Sequence, residues 1–114
     1  TGTMYDPGLA ARLDEIMSGM LEMEVTHMFG GHGFLMNGHM CVGIWNDVLV
    51  IRIGTDGWEA IAGDAHVRPM DLTGRVMQGW AMIAPEGVTD DADLQRYVDM
   101  AIMFCAGLAP KTQS

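Results

Sequence analysis

A chain of 114 residues with 49% hydrophobic and 18% charged residues has the size and composition of one globular domain, able to bury roughly 65% of its unfolded surface. Those proportions exclude a disordered chain, and no uncharged apolar run approaches the ~18 residues that cross a bilayer. The formal net charge is −9, with lysine only at Lys111 and arginines scattered at Arg12, Arg52, Arg68, Arg75 and Arg96. No basic stripe faces a phosphate backbone, which argues against direct nucleic-acid binding.

Residues 5–110 are expected to form the single domain, with 1–4 and 111–114 as tails. Thr1 to Asp6 carry neither a cationic n-region nor an apolar h-region, so the expected location is cytoplasmic, with no membrane contact. Asp6-Pro7 reads as an N-cap followed by proline at the first helical position. The helix it opens is expected over about 7–22, because Leu9, Leu13, Ile16, Met17 and Met20 recur at three- and four-residue steps. Val25 to Phe29 is β-prone and is broken by Gly30-Gly31. Asn37-Gly38 between two apolar runs is a strong hairpin signal, since a type I′ turn needs positive φ at both central positions. With a second turn at Asn46-Asp47, this predicts a three-stranded meander over about 32–53.

Thr55 is expected to cap a short helix that ends near Gly63. His66 to Met70 reads as an edge strand, because Pro69 cannot donate to a central ladder. Met77 to Ala84 alternates around Trp80 as a further strand. Thr89-Asp90-Asp91 then places a cap and negative charge at the start of a last helix reaching about Ala106. Adjacent strands joined by tight turns predict an α+β fold in two layers, an antiparallel sheet with helices packed on one face.

Several of these segments together resemble the TfoX (Sxy) N-terminal-domain family: Met28-Phe29-Gly30-Gly31, the hairpin through Met40-Cys41, Val50-Ile51-Arg52-Ile53-Gly54, Arg68-Pro69-Met70-Asp71, and Asp90-Asp91-Ala92-Asp93-Leu94. The resemblance spans Tyr5 to Pro110 and implies a small α+β domain. It also implies a cytoplasmic regulatory role, since the best-known members regulate natural competence by acting on transcription with a partner activator. Those regulators carry a second, C-terminal domain. His27, His32 and His39 depart from the family's usual pattern.

Unbroken alternation along the meander would pair Phe34 with Cys41 and Trp45 with Val48. It sends Leu35, Met40, Val42, Ile44, Leu49, Ile51 and Ile53 to the core. The opposite face then carries Phe34, Met36, Trp45, Val48, Val50 and Arg52, too apolar for a surface left to water. On the last helix Met100, Met103 and Phe104 widen the apolar stripe beyond one packed face. Both surfaces are expected to mediate protein contact, most simply as a homodimer, and an unknown protein partner is the other possibility.

The same strand face would hold His32, His39 and Cys41, whose imidazoles and thiolate suit copper(I) or zinc, although their spacing matches no established metal motif. No cofactor is otherwise expected. Gly30-Gly31-His32-Gly33 precedes an extended hairpin rather than a helix, so it is not a phosphate loop. Ser18 lies inside a helix and Ser114 is the last residue, which leaves Cys41 with His32 or His39 as the only nucleophile and base. No orienting group is identifiable for that pair, so no catalytic residue is assigned and a non-enzymatic module is expected. Cys41 and Cys105 lack C-x-x-C spacing and read as reduced, unrelated thiols.

Overall fold

The computed structural model describes residues 7–20, 23–26, 31–70 and 77–108. The cap expected at Asp6 and the end of the Val25–Phe29 run lie outside them. Helix α1 covers Pro7–Met17 and stops sooner than its apolar stripe predicts. Ser18 Oγ donates to the Glu15 carbonyl at 2.9 Å, so the side chain competes for a helical acceptor just before Gly19, a poor helix former. Strand β1, Met23–Thr26, follows and adds a strand outside the expected meander.

The meander itself is β2 (His32–Met36), β3 (His39–Trp45) and β4 (Val48–Arg52). Asn37 and Gly38 have φ of 52° and 85°, as the type I′ reading requires, and Asn46 turns the next hairpin with φ of 57°. Replacing Gly38 with valine is expected to cost about 1 to 3 kcal/mol, because a β-branched residue is strained at that φ. An unchanged chemical-denaturation midpoint would contradict the turn.

Helix α2 (Gly54–Ile61) leads to β5 (Val67–Met70) and β6 (Met77–Ile83); a 3-10 turn at Pro85–Val88 and helix α3 (Asp91–Ala106) complete the order. The cap of α2 is a correction. Ile53 occupies that position without a side-chain hydrogen bond, and Thr55 lies inside the helix. Asp90 precedes α3 with extended backbone and no side-chain cap, while Asp91 and Asp93 place charge in its first turn.

All neighbours pair antiparallel in one six-stranded sheet ordered β1-β2-β3-β4-β6-β5. Pro69 is therefore on an edge strand, where its missing donor does least harm. One face receives the helices: Leu9, Leu13 and Met17 of α1, Ile61 of α2, and Leu94, Val98 and Ala101 of α3 pack on Val42, Ile44, Leu49, Ile51 and Ile53. Arg12 joins α1 to α3 by donating to Asp91 Oδ1 from Nη2 at 2.9 Å and from Nε at 3.2 Å. Asp91 is almost fully exposed, so this pair contributes little. No described helix is long and apolar enough to cross a membrane.

The main departure from the expected register lies in β3. Leu35 pairs with Met40 and Phe34 with Val42, so Cys41 is an extra residue, a β-bulge. A one-residue slip reverses the faces of the partner strand. Phe34 and Met36 consequently lie in the helix-facing core, 1% and 3% exposed. Leu35 and Met40, expected inside, are half-buried on the outer face. Phe34 and Met36 thus enter the core in place of Leu35 and Met40, and each large apolar side chain contributes roughly 1.5 to 3 kcal/mol on burial.

Candidate functional site

The face of the sheet opposite the helices carries its own apolar cluster. Val48, Val50 and Met82 are buried there, with Trp45 and Trp80 half-buried against them. The ladder explains the grouping, since directly opposed residues share a face: Trp45 pairs with Val48, Val50 with Met82, and Arg52 with Trp80. Arg68 pairs with Met82 and joins this face, exposed. No helix residue belongs to the cluster among the described residues. Toward β2, Gly33 faces Gly43 and the Met40 side chain lies across the pair, within 2.7 Å of where a Cβ on either would stand.

Arg52 closes one end of the strip. Its guanidinium carbon is 5.6 Å from the Trp80 ring centroid and 5.8 Å from that of Phe104, which reaches it from α3. Those rings hold the cation in place and partly replace its hydration. Beside Trp80 runs a groove of about 480 Å³, walled by Trp58 and Trp80 and lined also by Glu59 and Pro69. The site thus presents two tryptophans on a bed of branched and thioether side chains, with a cation at one end.

Several sequence candidates are placed here and others are not. Trp45, Val48, Val50 and Arg52 share the outer face, although the two valines lie beneath the tryptophans. Phe34 and Met36 do not, because of the bulge. On α3, Met100 and Phe104 are half-buried against the core, and Met103 is 77% exposed. Trp80, Met82 and Arg68 were missed as site residues. The alternation around Trp80 marked its strand, but nothing local says that this strand lies beside β4.

The three metal candidates do not converge. His32 is 8% exposed at the far end of β2, where its Nε2 lies 3.1 Å from Asp14 Oδ1. His39 is opposite Met36 at the hairpin turn, and Cys41 is fully buried at the bulge. Among the described residues no three side chains of histidine, cysteine, aspartate or glutamate gather as a metal would require. Elsewhere Tyr97 donates to Asp64 Oδ2 at 2.9 Å, and its phenol is pushed above the usual value by burial first and by that bond second.

A two-layer α+β domain with helices on one sheet face and an aromatic-flanked apolar strip on the other is a scaffold that presents a surface. The chain belongs to the TfoX N-terminal domain family, whose sequence model matches residues 15–105. No curated protein and no solved structure matches it significantly.

Proposed function

We propose that the chain is a regulatory protein-interaction module without catalytic chemistry of its own, and that its contact surface is the outer sheet face around Trp45 and Trp80. The observation that carries this reading is the apolar cluster with two half-buried tryptophans and no helix residue over it among the described residues. Membership of the TfoX N-terminal domain family supports a regulatory role. Tryptophan is enriched at binding hot spots because it brings a large rigid surface at small entropic cost. The simplest partner is a second copy of the chain.

Light scattering on the eluting native chain tests the proposal. The expected result is a dimer, with Trp45→Glu, opposite Val48, and Trp80→Lys, opposite Arg52, giving folded monomers, because an unpaired charge cannot be buried in such a contact. The loss of affinity should be at least 10- to 100-fold, since a truncated hot-spot residue costs about 2 kcal/mol or more. A native chain that stays monomeric at every concentration, or variants that remain dimeric, would remove self-association through this face.

A further inference from the structure

The two cysteines meet in the core although their sequence spacing gives no sign of it. Cys41 is the extra residue of the β3 bulge and Cys105 lies in the last turn of α3; both are fully buried and free. Cys105 Sγ donates to the carbonyl of Met40, the residue next to Cys41, at 3.7 Å, which sets the two cysteines against each other across the strand–helix contact. The charge of Arg52 acts on both sulfurs. A buried cysteine alone behaves as a small apolar side chain. Two that meet where a strand bulge packs under the end of a helix are arranged as a dithiol.

The surroundings give the two sulfurs different characters. Donation to Cys105, and then burial, raise the Cys41 pKa far above the usual thiol range. Accepting that bond lowers the pKa of Cys105, with Arg52 acting in the same sense and burial against it. The thiolate is the nucleophile in sulfur chemistry, and of the two sulfurs Cys105, in the last turn of α3 rather than in the sheet, is the one placed to react first. It stands two residues from Gly107, the C-cap of α3, and a helix's last turn opens locally more readily than its middle. Such opening admits a small oxidant.

We propose that Cys41 and Cys105 form a peroxide-sensitive dithiol that closes to an intrachain disulfide between β3 and α3, with Cys105 as the attacking sulfur and Cys41 as the resolving one. In the first step the Cys105 thiolate attacks one oxygen of hydrogen peroxide and the O–O bond breaks. Hydroxide leaves, takes a proton and becomes water, and Cys105 becomes a sulfenic acid. Cys41 then gives up its proton and attacks Cys105 Sγ, the S–O bond breaks, and the departing hydroxide takes that proton as a second water. Two electrons pass from the thiol pair to the peroxide. The bond closes a loop of more than half the chain, which restricts the unfolded state strongly.

The test treats the folded native chain with hydrogen peroxide, alkylates the remaining thiols, digests without reductant and maps the peptides by mass spectrometry. The expected product is one peptide pair linking Cys41 to Cys105 within a single chain, reversed by dithiothreitol. The Cys41→Ser variant should stop at a Cys105 sulfenic acid that dimedone traps, and Cys105→Ser should leave Cys41 unreacted. Recovery of both cysteines as free thiols while methionines have become sulfoxides overturns the proposal. So does conversion to separate sulfonic acids, or a bond between chains. Should either variant fail to fold, the native peptide map decides alone.

Discussion

Truncating Phe34 to alanine is expected to lower the stability of the fold by about 3 to 5 kcal/mol, a large share of the roughly 5 to 15 kcal/mol that holds a domain of this size. The ring is 1% exposed in the core that the helices close. Removing it deletes the transfer energy of the aromatic side chain and leaves a cavity that β-structure on one side and helix on the other cannot fill by relaxing. His32 packs edge-on against the ring, with centroids 5.2 Å apart, so its pairing with Asp14 loses a wall as well. Chemical denaturation followed by circular dichroism reads the effect as a lower midpoint at unchanged slope. A glutamate at the same position should prevent folding rather than separate copies of a folded chain. By contrast, Trp45→Glu on the half-buried outer face should leave a folded chain and cost less than truncating Phe34. If alanine at position 34 costs under about 1 kcal/mol, β2 faces outward and the bulge at Cys41 is absent.

The Gly79→Val variant should be destabilised by about 3 to 5 kcal/mol, from two causes that add. Gly79 has a φ of 82° within β6, a conformation in which a β-branched residue is strained. Its Cβ would also stand 3.1 Å from Gly54 Cα and 3.3 Å from Gly54 C, backbone atoms that cannot swing aside as a side-chain tip can. The two segments are that close because Ile53 N–H donates to the Gly79 carbonyl at 2.8 Å, which ties the end of β4 to β6. That tie also sets Arg52 beside Trp80, so the variant should lose partner binding along with stability. Measuring both separates this outcome from a purely surface defect. A variant that melts within a few degrees of the native chain would mean that β6 does not approach Gly54 as described.

Much of the candidate site was legible in part. Trp45, Val48, Val50 and Arg52 fall on one face because the Asn46-Asp47 turn fixes their alternation, and the structure keeps that register. Trp80 and Met82 required knowing which strand lies next to β4. The chain reaches β6 only after α2 and the edge strand β5, and no local preference records that β6 inserts between β4 and β5. The early end of α1 and the missing side-chain cap on α2 are smaller cases of the same kind, where a tertiary contact or a competing side-chain hydrogen bond outweighs a propensity worth a fraction of a kcal/mol.

Elements whose causes are local can be read from the residues alone. Asn37-Gly38 sets a turn because only such residues accept two positive φ values in succession. Pro69 marks an edge strand because it has no donor. The apolar spacing of Leu94, Val98, Ala101 and Cys105 makes one buried stripe on α3. Which way β2 faces depends instead on contacts made across the fold. The bulge at Cys41 inserts one residue into an otherwise regular alternation, and its stabilisation comes from packing with the helices: the Phe34 and Met36 side chains it turns inward, the Asp14 that meets His32, and the Cys105 thiol that donates to the Met40 carbonyl. A strand's period of two carries no record of contacts made with helices before and after it in the chain. The same bulge that removed Phe34 from the expected interaction face brought the two cysteines together.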